Sequence, residues 1–159
     1  RLFSRNADAY HYLMAELLDN IYQHAGADHS YVMAQYYPTK LEIEACFVDD
    51  GVSIPGSLER GAGAHYRPEE AYRAILDAIG GLSAKSAERG YGLRTSIGVT
   101  NGLGGEALIV SGRGAVISTP QGALLPYVRP ETATLQGTLV SIRLREGDRK
   151  INLYDFLDI

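Results

Sequence analysis

The side chains best placed to do chemistry lie near the amino end of the chain, where a carboxylate and an amide follow one another at helical spacing. Glu16, Asn20 and His24 recur every four residues, so an α-helix would align them in one polar ridge. The apolar ridge beside it consists of Leu13, Leu17 and Ile21. A glutamate can orient or deprotonate a water or a hydroxyl, and an asparagine oxygen can coordinate a hard cation such as Mg2+. A surface helix with a charged face would show the same spacing, so this segment alone leaves both interpretations open.

A second acidic segment, Asp49-Asp50-Gly51, follows directly on a predicted strand. That strand alternates over residues 41–48, with Leu41, Ile43, Ala45 and Phe47 facing the core and Glu42 and Glu44 facing solvent. Carboxylates and a glycine at a strand end allow the backbone to approach a ligand closely. A plain acidic turn is the alternative interpretation.

The elements that must position these residues follow from periodicity and from turn residues. A first helix, capped by Asn6 or Asp8, is predicted to end before Gly26. The other predicted helices begin at Pro68 and at Gly92 and end at Gly80–Gly81 and Gly102. The predicted strands cover residues 30–37, 41–48, 107–111, 115–119, 123–128 and 137–144. We expect a mobile loop at residues 57–67 and a glycine-bounded lid at residues 82–92.

This order of elements predicts an α+β two-layer sandwich, in which a mixed, mostly antiparallel sheet carries helices on one face. We expect a single domain over residues 1–159, taken from a longer chain because it begins without methionine. The net charge of -4 argues against holding nucleic acid by bulk electrostatics. A single cysteine, Cys46, excludes an internal disulfide and favours a reducing, cytoplasmic compartment. No apolar run is long enough to span a bilayer.

Four short motifs follow one another along the chain. They are Glu16-Leu-Leu-Asp-Asn20, Asp49-Asp-Gly-Val-Ser-Ile-Pro55, Arg89-Gly-Tyr-Gly-Leu93 and Gln136-Gly-Thr138. Together they resemble the boxes of the GHKL, or Bergerat-fold, ATP-binding domain shared by gyrase, heat-shock chaperones, histidine kinases and MutL-type proteins. Each motif alone is weak, but the order and the secondary structure between them make the resemblance specific. It covers roughly residues 10–144 and implies the Bergerat fold, ATP and Mg2+.

The resemblance also implies a role for each motif residue. Glu16 would be the general base, and Asn20 would hold Mg2+ against the triphosphate. Asp49 would accept a hydrogen bond from the exocyclic amine of adenine, while Gly51 leaves room for the ring and Ile54 belongs to the same pocket. The other residues assigned to nucleotide binding are Lys85, Gly90, Tyr91, Gly92, Leu93 and Thr138.

Physical arguments accompany the assignments in the lid and in the last motif. Gly90 and Gly92 would bring backbone N–H groups to the phosphates at the positive end of the helix that follows, although Gly92 as a simple helix cap is the alternative. Lys85 would neutralise the γ-phosphate, or else be an ordinary solvated lysine. Thr138 would reach the base-binding aspartate or a water, or else serve only as a good strand former. Ser53 departs from the family pattern, which has glycine there, so we expect the turn to tolerate a side chain close to the nucleotide.

Three functions remain open from the sequence. Histidine kinases of this family usually carry asparagine at the position of Glu16, whereas the hydrolases and the anti-sigma serine kinases carry glutamate. The leading prediction is therefore an ATPase that works as a lid-gated switch, read by an unidentified protein partner or by linked domains. The alternatives are a protein kinase of the same fold, anti-sigma-like or histidine-kinase-like, and a nucleotide sensor that does not hydrolyse.

Overall fold

The computed structural model describes residues 6–21, 26–82, 92–145, 147 and 150–157. Its helices are α1 (Ala7–Asn20), α2 (Ile54–Ala62), α3 (Ala71–Ile79) and α4 (Gly92–Gly102). Its strands are β1 (Ser30–Tyr37), β2 (Glu42–Asp49), β3 (Glu106–Gly112), β4 (Gly114–Ser118), β5 (Leu124–Val128) and β6 (Leu135–Arg145). Short 3-10 turns cover Pro68–Glu70, Glu131–Ala133 and Leu153–Phe156. The predicted strands are confirmed to within two residues at each end, and so are the helices that begin near Pro68 and at Gly92.

The strands form one six-stranded sheet in the order β1-β2-β6-β3-β4-β5. Every pair of neighbours among these strands is antiparallel, so the parallel component of the predicted mixed sheet is not found in the described strands. The α+β class is confirmed. The last strand, β6, lies between β2 and β3 and so brings the fourth motif beside the second.

One face of the sheet and the helices share a single core. Because side chains alternate along a strand, Phe47 of β2, Ile109 of β3 and Ile142 of β6 all point to the same side. There they pack with Leu13 of α1 and Ile75 of α3, and all five are almost fully buried. The helices therefore lie on one face of the sheet, which fixes α1 and α4 relative to the ends of β2 and β6.

The predicted burial pattern at the start of β2 is wrong. Glu42 was expected in solvent but is buried, because Arg145 and Arg143 of β6 reach its two carboxylate oxygens at 3.3 and 3.4 Å. Leu41 was expected in the core but is exposed in the turn between β1 and β2, where its φ of 51° is left-handed. An ion pair across the strands compensates the burial of Glu42, which a single-sequence pattern cannot reveal.

The loop predicted at residues 57–67 is also wrong over its first half. Helix α2 begins after Ser53, whose hydroxyl accepts a hydrogen bond from the Gly56 N–H at 3.3 Å. Leu58 is its one buried side chain, and Gly63, with a left-handed φ of 66°, ends it. Serine followed by a proline in the first turn is an ordinary helix start, so the signal was present but was outweighed by the polar, glycine-rich composition.

The last described segment fastens α1 to α4. The backbone N–H of Ile151 donates to the Oδ1 of Asn6, the residue before α1, at 3.1 Å. The ring of Phe156 lies against α4 where Gly98 and Gly102 leave space, since a Cβ on Gly98 would lie 3.3 Å from the ring and one on Gly102 would overlap it. We call residues 150–157 the C-terminal strap.

The two edge strands differ. At one edge of the described sheet, β1 has eight uncharged residues, whereas β5, at the other edge, has five residues with Pro126 at its centre. Among the described residues, no helix is long and apolar enough to cross a membrane.

Candidate functional site

Glu16 and Asn20 both lie against the first residue of α4. A Cβ built on Gly92 would stand 2.9 Å from Oε2 of Glu16 and 3.1 Å from Oδ1 of Asn20. A side chain at this position would therefore have to displace the ends of Glu16 and Asn20, whereas glycine leaves both of them room beside the backbone. The first motif and the end of the third, more than seventy residues apart in sequence, are therefore in contact.

The Glu16 carboxylate is half-buried, and burial raises its pKa above the usual range. A hydrogen bond from the Tyr12 hydroxyl acts in the opposite direction, and the charge of Asp19 adds to the rise. The Tyr12 hydroxyl also bonds to Thr95 of α4, and burial, with the nearby charge of Glu16, raises the pKa of Tyr12 to about 12. Tyr12 is therefore a neutral hydrogen-bond donor near pH 7, and it links α1 to α4 behind Glu16.

Asp49 ends β2 directly opposite Thr138 of β6. The carboxyl group is buried, and burial raises its pKa even though two backbone N–H groups bond to it. One is the N–H of Gly51, at 3.0 Å from Oδ1, and the other belongs to Thr138. These bonds fix the orientation of the carboxylate at the strand end.

Gly137 makes the approach of β6 to Asp49 possible. Its φ is 90°, a conformation that favours glycine, and a Cβ there would overlap the carbonyl oxygen of Asp49. The same Cβ would lie 2.9 Å from Oδ1 of Asp49. The second and fourth motifs are thus built against each other, as the first and third are.

Ser111 of β3 was missed by sequence reasoning and joins three parts of this region. Its Oγ accepts from the N–H of Ile54 at 2.8 Å, donates to the carbonyl of Gly137 at 3.1 Å, and lies 3.0 Å from Oγ1 of Thr138. A serine hydroxyl has one donor and two acceptor sites, so this fully buried group uses its whole capacity. The sequence offered only a weak signal, a polar residue at a core-facing position of an apolar strand.

Ser53 and Asp50, which had no clear role in the sequence, both have structural partners. Ser53 caps α2 and has an ordinary φ of -63°, so the backbone there does not require glycine. Asp50 accepts from the N–H groups of Asp28 and His29 at 3.0 and 2.9 Å and from Nδ1 of His29 at 2.8 Å. These bonds lower its pKa and hold the loop before β1.

The remaining predicted residues divide into two groups. Ile54 and Leu93 are half-buried, and both pack against the core. Lys85, Gly90 and Tyr91 lie outside the described residues, as does His24.

The donors present fit a Mg2+ ion held mainly by phosphate and water. Magnesium in such sites takes one or two protein oxygens, and the Asn20 amide supplies one, beside the same glycine as the Glu16 carboxylate. Within the described ranges, no three side chains of His, Cys, Asp or Glu gather as an all-protein metal cage.

No protein-family model matches the chain. No curated protein matches it either.

Proposed function

We propose that this chain is a Bergerat-type ATP-binding domain that binds Mg-ATP and hydrolyses it as a lid-gated switch. One observation carries the proposal: the four motifs, dispersed over the sequence, meet in pairs. Glu16 and Asn20 lie against Gly92, while Asp49 lies against Gly137 and Thr138. Core packing alone does not require a carboxylate at both meeting points, so this arrangement favours a site over a charged surface.

At the first meeting point, Glu16 is suited to take a proton from an attacking water. Its raised pKa makes it a stronger base than an exposed glutamate. Tyr12 holds the carboxylate in place by donating to it. Asn20 would hold the Mg2+ ion, which screens phosphate charge when it is bound.

At the second meeting point, Asp49 is suited to select the base. A carboxylate accepts hydrogen bonds and cannot donate them, and adenine presents an amine where guanine presents a carbonyl. A site built to accept from that amine rejects the base that lacks it, because two acceptors would face each other. Gly51 and Thr138 fix the direction in which the carboxylate accepts.

Isothermal titration calorimetry with Mg-ATP and Mg-GTP tests this proposal. We expect binding of Mg-ATP, weaker binding of Mg-GTP by at least about tenfold, and loss of Mg-ATP binding in Asp49→Asn. The Asp50→Asn variant is the matched control, because Asp50 is engaged by His29 and the preceding loop. Absence of heat with Mg-ATP, or equal binding by Asp49→Asn and wild type, would overturn the proposal.

A further inference from the structure

Along Ser30–Ala34, the outer edge of β1 pairs with no other described strand and can accept one. All eight residues, Ser30–Tyr37, pair with β2 in one unbroken register, and no described element pairs with their other side. The stretch contains no proline, no charged residue and no bulge, which are the usual features that protect an edge. The β5 edge, in contrast, is short and interrupted by Pro126.

The backbone groups that face outward can be identified. The N–H of Asp50 donates to the carbonyl of His29, its opposite residue, at 3.2 Å. In an antiparallel ladder, bonded pairs alternate with non-bonded pairs, so the odd-numbered residues of β1 bond to β2. The backbone N–H and C=O groups of Ser30, Val32 and Ala34 therefore point away from β2.

The exposed side chains on this strand are apolar at its centre. Tyr31 and Met33 are each 67% exposed, and Val32, on the opposite face of the strand, is 52% exposed. An antiparallel pair centred on Val32 would set these three residues against the same three residues of another copy. No charge lies on the strand of either copy, so the contact has no like-charge repulsion despite the acidic composition.

We propose that two copies of this chain associate through β1, antiparallel and about a two-fold axis, to join their sheets into one. A second copy fits this edge because the same uncharged, apolar surface is self-complementary, as a two-fold interface requires. The association does not depend on nucleotide. The Tyr31 and Met33 side chains of both copies then cover one another on the outer face of the joined sheet.

Sedimentation velocity over protein concentrations from about 1 µM to about 1 mM tests the pairing. We expect the wild type to shift from one chain to two as the concentration rises. Ala34→Pro removes an outward N–H without removing a bond to β2, and proline is tolerated at such edge positions. We expect it to weaken association at least about tenfold, because the lost hydrogen bond occurs twice by symmetry.

Two further variants keep the test decisive. Met33→Lys places one positive charge from each copy at the contact without altering the backbone, so it is also expected to weaken association. Leu125→Lys introduces a lysine at the opposite edge, where the leucine is 41% exposed against 67% for Met33, and is expected to associate like wild type. Circular dichroism confirms that each variant is folded. A wild type that stays monomeric throughout, or folded Ala34→Pro and Met33→Lys variants that dimerise like wild type, would overturn the proposal.

Discussion

At the scale of single residues, Glu16 lies beside Gly92 and has a raised pKa. We expect Glu16→Gln to lower the rate of phosphate release by about 100-fold or more, because the amide cannot accept the proton. Binding of Mg-ATP should persist. The wild-type rate should rise with pH as Glu16 ionises, with its midpoint above the ordinary carboxyl value of 4.5, because burial raises the pKa. Steady-state phosphate release measured against pH checks both points, and a variant with unchanged turnover would exclude Glu16 as the base.

At Gly92 there is little space for a side chain between α1 and α4. We expect Gly92→Ala to reduce Mg-ATP affinity by about tenfold or more, because a Cβ at 2.9 Å from Glu16 displaces the carboxylate and the amide of Asn20. Calorimetry is the measurement. The matched control is Gly56→Ala in α2, where the nearest atom is 3.6 Å from the added Cβ. The control should bind normally and unfold at a slightly higher temperature, since alanine favours a helix.

The buried carboxyl of Asp49 should cost the protein stability. Because its pKa is raised in the folded state, folding favours the protonated form, and ionisation lowers the free energy of unfolding as the pH rises. We therefore expect Asp49→Asn to melt at a higher temperature than wild type near pH 7. The difference should shrink as the pH falls through the raised pKa and disappear below the ordinary value of 3.8. Thermal unfolding at several pH values checks this, and a difference that grows in acid would contradict it.

At the scale of elements, local sequence patterns predicted the features that depend on residues close together in the chain. The four-residue spacing of Glu16 and Asn20 fixed their common helix face, and turn residues located most strand ends. Local patterns could not predict contacts between elements that lie far apart in the sequence. The burial of Glu42 depends on arginines in β6, and the proximity of Gly92 to Glu16 depends on how α1 packs against α4. The resemblance of the motifs assigned Glu16, Asn20 and Gly92 to one nucleotide site, whereas neither the resemblance nor the periodicity predicted the burial of Glu42.

Ser111 shows how one side chain holds several elements together. We expect Ser111→Ala to lower the free energy of unfolding by about 1–3 kcal/mol, since the N–H of Ile54 and the carbonyl of Gly137 lose their buried partner. Chemical denaturation measures the loss. The control is Ser141→Ala on β6, because that serine is half-buried on the opposite face of the sheet. Equal stability of the Ser111 variant and wild type would show that these bonds are not needed.

At the scale of the whole molecule, the C-terminal strap holds together the two helices of the first meeting point. We expect Phe156→Ala to lower the free energy of unfolding by about 2 kcal/mol through lost apolar burial against α4. We also expect slower phosphate release, because α1 and α4 carry Glu16 and Gly92. Tyr154→Ala is the control, since this side chain is 69% exposed. Chemical denaturation and phosphate release are measured on both variants. Identical behaviour of the two variants would show that the strap does not support the site.

Pro126 has a consequence for how far assembly through the sheet proceeds. In the pairing of β4 with β5, the N–H of Arg129 bonds to the carbonyl of Arg113, so the nitrogen of Pro126 faces away from β4 and has no proton to offer. A molecule with two receptive edges could recruit neighbours on both sides and grow into a fibre. Because proline disfavours strand pairing at the β5 edge, the proposed assembly ends once the β1 edges of two copies have paired. Its product is a dimer and not a fibre.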